Sequence, residues 1–168
     1  TKDLSVKRDS SANEESYKNF DRQKRYRLMW MDTKYEPGTV KVVAYDENGK
    51  AVAAKELKTA GKPVGIVLEA DRNSIKADGR DISFVNVKLV DKNGNFCPTD
   101  EREISFKVTG AGAFKAVANG NPASLESFQE PRMKLFSGQL TALVQSLEKG
   151  GTITLEASAK GVKSGKIT

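Results

Sequence analysis

Short runs of alternating apolar and polar residues, closed by turns that contain glycine, recur from residue 39 to the end of the chain. A period of two is typical of half-buried β-strands, and Asn48-Gly49 and Asn93-Gly94 supply the positive φ that tight hairpins need. No segment has a 3.6-residue apolar period of helical length. The first predicted strand begins at residue 26. The others are 39–45, 51–58, 64–69, 82–90, 104–108, 114–118, 133–136, 140–145 and 153–157, with a short one after residue 161.

Short strands spaced by turns over residues 63–168 predict an all-β fold, an antiparallel β-sandwich of immunoglobulin-like type, with a barrel as the alternative. The cysteine pair of antibody domains is absent, so that subtype is not expected. Thr59-Ala60-Gly61-Lys62-Pro63 breaks the strand pattern and predicts a domain boundary. We therefore expect a partial β-sandwich module over 1–62, opening with a long polar loop, and a complete sandwich over 63–168.

Composition excludes several classes of function. The chain has no histidine and one cysteine, Cys97, which removes the commonest proton-transfer group, any internal disulfide and any cysteine-based zinc site. We expect Cys97 to be a small buried hydrophobe and expect no cofactor. The net charge is +6, but its lysines are scattered at alternating strand positions, so nucleic acid is not an expected partner. No apolar run is long enough to span a membrane. Thr1-Lys2-Asp3-Leu4 has no signal-peptide core, and a signal peptide upstream of these residues stays an open alternative.

Acidic residues are the remaining candidates for metal binding or catalysis. The turns beginning at Asp46 and Asp91 resemble the start of a calcium loop, but the twelfth positions are Leu57 and Arg102 instead of a bidentate glutamate, which favours plain hairpin turns. Paired carboxylates could hydrolyse glycosides, yet the acidic residues lie in or beside turns, where they bond local backbone, so catalysis within this chain is not expected. These residues are Asp78, Asp81, Asp91, Asp100, Glu101 and Glu103. Gly110-Ala111-Gly112 lacks a following lysine and helix start, and we interpret it as a bend or bulge.

Two groups of apolar residues are candidates for contact with another domain. Leu125 and Phe128 stand in the polar loop 119–131, and they predict either a loop tucked over an open end of the sandwich or a contact with a neighbouring domain. Trp30 shares a predicted strand face with Tyr26 and Leu28, which favours core packing over a sugar-stacking platform with Tyr35.

A series of short motifs extends over nearly the whole chain. They are Tyr26-Arg27-Leu28-Met29-Trp30-Met31-Asp32, Tyr35-Glu36-Pro37-Gly38, Lys41-Val42-Val43-Ala44-Tyr45, Thr59-Ala60-Gly61-Lys62-Pro63, Ile75-Lys76-Ala77-Asp78-Gly79, Phe84-Val85-Asn86-Val87, Asp91-Lys92-Asn93-Gly94-Asn95-Phe96-Cys97-Pro98 and Asn119-Gly120-Asn121-Pro122-Ala123-Ser124. In the order and spacing of these motifs, the chain resembles the C-terminal region of Bacteroides-type, β-galactosidase-like family 2 glycoside hydrolases.

The resemblance implies that the catalytic glutamates lie on a TIM barrel outside these residues, and that this chain is a non-catalytic accessory region packing on, spacing or lending a loop to that barrel. It also implies a periplasmic or secreted location. A carbohydrate-binding module with a polysaccharide partner is the alternative, and a stand-alone enzyme is the third hypothesis. A module cut near its middle exposes strand edges and an apolar face, so we expect Tyr26, Leu28, Trp30, Val42 and Val43 to pack on the second module or on another copy.

Overall fold

The computed structural model describes residues 34–168. By their contacts residues 38–168 form one unit, which is described here, and residues 34–37 belong to a separate unit. The described residues form ten strands and contain no helix. The strands are β1 (Thr39–Tyr45), β2 (Ala51–Lys58), β3 (Pro63–Ala70), β4 (Ile82–Asp91), β5 (Glu103–Gly110), β6 (Gly112–Ala118), β7 (Arg132–Lys134), β8 (Gln139–Ser146), β9 (Ile153–Ser158) and β10 (Gly165–Ile167).

Eight of these strands form two antiparallel four-stranded sheets, in the orders β3-β4-β8-β6 and β10-β9-β5-β7. A parallel bridge between Gly65 and Lys163 joins β3 to the segment that precedes β10. The chain crosses from one sheet to the other at Gly110-Ala111-Gly112, where Ala111 forms the predicted bend between β5 and β6. The prediction of an all-β, immunoglobulin-like antiparallel sandwich is confirmed.

The core lies between the two sheets, where the period-two pattern brings one face of each strand together. In β4, Val85, Val87 and Leu89 are buried. Phe84, on the opposite face of the same strand, is 46% exposed. The opposite sheet contributes buried residues from β5, β7 and β9, and the aromatic rings of Phe106 and Phe114 stack with centroids 6.0 Å apart. The buried hydrophobic residues are Ile66, Val85, Val87, Leu89, Cys97, Ile104, Phe106, Val117, Met133, Leu135, Leu140, Ala142, Val144, Leu155 and Ala157. Cys97 is the small buried residue that was predicted.

Both Asn-Gly hairpin turns form as expected. Gly49 and Gly94 have φ of 78° and 80°, the left-handed region that a non-glycine residue rarely adopts. In each turn the Oδ1 of the leading aspartate, Asp46 or Asp91, accepts backbone N–H bonds from the residues two and four positions further on. These carboxylates therefore stabilise the turns, as is typical of aspartate at this position.

Among the described strands, β1 and β2 pair with each other alone, and they form a two-stranded ribbon whose side chains are almost all exposed. Its base is closed by the Thr59 N–H bond to the Gly38 carbonyl and by the Gly38 N–H bond to Thr59 Oγ1. Val43 is half-buried but Val42 is 44% exposed, so the expected cover is not found for Val42. The reason is that neither strand of the ribbon packs extensively on a sandwich strand. Tyr26, Leu28, Trp30 and the N-terminal polar loop lie outside the described residues.

Candidate functional site

The acidic side chains of the sandwich hold local backbone structure, as the sequence predicts. Asp78, Asp81, Asp91 and Asp100 each accept a hydrogen bond of 2.8–3.0 Å from a backbone N–H of their own loop or turn. The N–H groups of Asp81 and Arg80 hold the pKa of the Asp78 carboxyl below its usual value. Across residues 34–168, no three or more Cys, Asp and Glu side chains gather in a way that could hold a metal ion.

Asp100 is engaged by a single partner, Arg102. The guanidinium donates from Nε to Oδ1 at 2.8 Å and from Nη2 to Oδ2 at 2.7 Å, and Nη1 donates to the Lys160 carbonyl at 2.9 Å. This fork lowers the pKa of Asp100 and raises that of Arg102. The pair therefore ties the start of β5 to the segment between β9 and β10, which is a structural role.

A small cleft in the sandwich is lined by residues that include Arg72, Asn73, Ile75, Leu155 and Ile167. Among the described residues that line it there is no aspartate or glutamate, and Arg72 carries its charged side chain. Arg72 is itself bonded to Asp71 at 3.1 Å. Within the part of the chain that is described, no helix could span a membrane.

The loop 119–131, between β6 and β7, is held in place by hydrogen bonds along its length. Asn119 is buried, and its Nδ2 donates to the Lys134 carbonyl at 2.9 Å while its Oδ1 accepts the Asn121 N–H at 3.0 Å. Glu126 Oε1 accepts the Lys134 N–H at 3.1 Å. At the far end of the loop, the Phe128 carbonyl accepts the Val117 N–H of edge strand β6 at 2.8 Å.

This fixed loop points its two large apolar side chains toward solvent. The relative exposure of Leu125 is 102% and that of Phe128 is 57%. Neither side chain is tucked over an end of the sandwich, so that alternative does not describe the loop. An ordered loop with exposed leucine and phenylalanine is suited to contact with another surface.

The outer face of the β3-β4-β8-β6 sheet adjoins this loop and carries little charge. Residues paired across neighbouring strands share a face, and the register places Phe84 beside Leu143 and Leu143 beside Ala116. Glu69 and Lys88 of this face are bonded to each other at 2.6 Å, and Lys115, at the irregularity in β6, is also exposed. Other outward residues of the paired rows include Val67, Asn86, Gln139, Thr141, Gln145, Ala118, Ile82 and Ala113.

The outer face of the β10-β9-β5-β7 sheet is different in character. There Lys107 lies beside Glu156, and Glu156 lies beside Lys166. In the same sheet Glu103 pairs with Lys134. All five are exposed. A charged, alternating surface of this kind is typical of a solvated face, so the two faces of the sandwich differ in their suitability for docking.

Leu125 and Phe128 were predicted from the sequence as contact residues, whereas Phe84 and Leu143 were not. A signal for Phe84 was present, because it lies out of phase with the buried Val85, Val87 and Leu89 of the same strand. Trp30, the third predicted contact residue, lies outside the described residues.

Residues 66–168 match the family model "Glycoside hydrolase family 2 C-terminal domain 5", and residues 4–53 match a domain of unknown function, DUF4982. The chain is 45% identical over 130 residues to the β-galactosidase BoGH2A of Bacteroides ovatus, which covers 77% of this chain and 15% of that protein. It is 35% identical over 112 residues to a β-galactosidase of Thermoanaerobacter pseudethanolicus, covering 67% of this chain and 13% of that protein. This chain thus spans about a seventh of the length of these relatives.

Solved structures give the same result. A glycosyl hydrolase family 2 member from Bacteroides cellulosilyticus is similar with a TM-score of 0.73 and 34% identity, over 79% of this chain and 18% of that chain. A β-glycosidase from Bacteroides vulgatus has a TM-score of 0.75 and 31% identity, over 79% of this chain and 17% of that chain. The chain belongs to the family of glycoside hydrolase family 2 C-terminal domain 5 and is a C-terminal region of a family 2 glycoside hydrolase.

Proposed function

We propose that this region is a non-catalytic accessory part of a β-galactosidase-like glycoside hydrolase, and that it packs on the catalytic TIM-barrel domain of the parent chain through the 119–131 loop. The observation that carries the proposal is the exposure of Leu125 and Phe128 on a loop whose backbone is fixed by hydrogen bonds. Burying a leucine or phenylalanine side chain stabilises a contact by roughly 1.5–3 kcal/mol. Since the loop is already ordered, little of this is lost to ordering the chain.

The relatives support the choice of the parent chain as the occupant. Chains similar to this one are β-galactosidases of which it covers about a seventh, so a much larger polypeptide is available to cover the loop. The adjoining low-charge face, with Phe84 and Leu143, extends the same surface. Trp30 is proposed as a further contact residue on the resemblance alone.

We also propose a domain division for the chain, a substrate for the parent and a cellular location. We divide the chain into a partial module over 1–62 and a complete sandwich over 63–168, because the stretches that match the two families leave 54–65 between them. The parent's substrate is proposed to be a β-galactoside, after the names of the relatives. A periplasmic or secreted location is proposed from the family resemblance and is tested by fractionating cells that produce the parent.

The test is a double substitution, Leu125→Ser with Phe128→Ser, in the parent protein. In the isolated chain it should leave the melting temperature nearly unchanged, because exposed side chains contribute little to stability. In the parent it should separate the unfolding of this region from that of the barrel, seen by calorimetry as an added transition at lower temperature. Leu147→Ser is a matched control, since Leu147 is 43% exposed and bonds to Ala111, at the opposite end of β6 from the loop.

An unchanged calorimetric profile of the double variant in the parent would contradict the docking proposal. The carbohydrate-binding alternative predicts that the isolated chain binds galactosides or plant polysaccharides in a calorimetric titration, whereas the proposed role predicts no binding. Hydrolysis of a chromogenic galactoside by the isolated chain would contradict the non-catalytic assignment.

A further inference from the structure

Two turns within residues 34–168 have the same hydrogen-bond pattern, and the second has a feature that the first lacks. Asp46 Oδ1 accepts the N–H groups of Asn48 and Lys50 at 3.0 and 2.8 Å. Asp91 Oδ1 does the same for Asn93 at 2.8 Å and for Asn95 at 2.9 Å. One carboxylate oxygen is therefore sufficient to build this turn.

The second oxygen of Asp91 reaches outside the turn. Its Oδ2 accepts the backbone N–H of Gly61, 30 positions earlier in the chain, at 2.8 Å, and the Nδ2 of Asn95 at 3.0 Å. Asp91 is buried at 4% exposure, whereas Asp46 is exposed. The Gly61 N–H and the Asn95 side chain hold the pKa of Asp91 well below its usual range, so the acceptor stays ionised at every ordinary pH.

Gly61 lies in the segment that joins the β1–β2 ribbon to the sandwich, and hydrogen bonds hold this segment at both ends. Thr59 is bonded to Gly38 at the base of the ribbon, and Gly61 is bonded to Asp91 of the sandwich. Ala60, the one residue between them, is half-buried and packs against the core. The Cys97 thiol lies 3.7 Å from the Gly61 carbonyl on the other side.

We propose that Asp91 is a positioning residue that clamps the joint at Gly61 and holds the β1–β2 ribbon at a fixed orientation to the sandwich. The ribbon packs little on the sandwich strands, so the joint is the structural element that can set this orientation. In the parent protein, this bond would fix the position of the ribbon, which belongs to the module over 1–62, relative to the sandwich over 63–168. This inference is independent of the docking proposal, because it concerns contacts within the chain.

The test uses the full chain with Asp91→Asn, and Asp46→Asn as the matched control. Asparagine keeps the side-chain size but has one acceptor oxygen, which cannot serve the Asn93 and Asn95 N–H groups and the Gly61 N–H together. Hydrogen exchange at the Gly61 amide, measured by NMR, should accelerate about tenfold or more in Asp91→Asn. It should be unchanged in Asp46→Asn.

The second readout is ¹⁵N relaxation of the ribbon and of the sandwich. If Asp91 stabilised the turn alone, its substitution would leave the relaxation of the ribbon unchanged. In the unaltered chain both should tumble with one correlation time, and in Asp91→Asn that of the ribbon should fall below that of the sandwich. If Asp91→Asn does not fold, a Gly-Ser insertion between Thr59 and Ala60 separates ribbon from clamp while leaving Asp91 intact, and it should uncouple the ribbon in the same way. Unchanged exchange at Gly61 in Asp91→Asn, or a ribbon that still tumbles with the sandwich in either variant, would overturn the proposal.

Discussion

The turn between β7 and β8 gives a prediction whose size can be worked out from the structure. Ser137 and Gly138 have φ of 52° and 75°, and Phe136 and Gln139 exchange hydrogen bonds of 3.2 and 3.3 Å across them. A Cβ added at Gly138 would lie 2.0 Å from the Cys97 carbonyl oxygen. Relieving that overlap requires a backbone shift of at least about 1 Å in a buried segment, where packing leaves few voids.

Gly120 is the matched control, because it has φ of 74° and nothing within 4 Å of an added Cβ. Gly120→Ala should therefore cost about 1–2 kcal/mol for the left-handed conformation alone. Gly138→Ala pays the same conformational cost and also displaces packed backbone, so it should cost about 4 kcal/mol or more.

Urea unfolding of the isolated chain measures the difference. With a slope of about 2 kcal/mol per molar urea, the midpoint should fall by about 0.5–1 M for Gly120→Ala and by about 2 M or more for Gly138→Ala. Equal shifts for the two variants would refute the close approach of this turn to Cys97 and the reasoning built on it.

Three further predictions follow from buried groups. Asp91 has a folded-state pKa below its unfolded value of about 3.9, so it stabilises the fold at higher pH and that stability is lost as the pH falls below about 4. The free energy of unfolding of Asp91→Asn, measured by acid unfolding, should therefore decline less steeply with falling pH than that of the unaltered chain. Leu89→Ala should lower the free energy of unfolding by about 2–5 kcal/mol because Leu89 is fully buried, whereas Val67→Ala, at 37% exposure, should change it far less, both measured by urea denaturation. Burial raises the pKa of the Cys97 thiol, so alkylation followed by mass spectrometry should be slow in the native chain and fast in denaturant.

Much of the fold could be predicted because its signals are local. The bounds predicted for β1 and β2 are those of the structure, since alternating residues and an Asn-Gly turn together determine a hairpin. The bounds predicted for β7, the strand that follows the 119–131 loop, were less accurate. A strand was expected over 133–136, but β7 is Arg132–Lys134, because Phe136 enters the Ser137-Gly138 turn.

The features of the candidate site depend on distant pairings, which a single sequence does not display. The bond between Asp91 and Gly61 joins residues 30 positions apart, which are close because Pro63 of β3 pairs with Asp91 of β4. Leu125 was identified by its contrast with a polar loop, but its exposure depends on where Asn119 and Glu126 anchor that loop. Such geometry is fixed by tertiary contacts.

We propose that the catalytic domain covers the 119–131 loop in the parent protein, whereas the loop is exposed to solvent in the isolated chain. Hydroxyl-radical footprinting reports the solvent access of Leu125 and Phe128 side chains directly, and the isolated chain and the parent can be compared under the same dose. The account predicts strong oxidation of both residues in the isolated chain and marked protection in the parent, with Leu147 oxidised equally in both. Equal oxidation of Leu125 and Phe128 in the two proteins would contradict it.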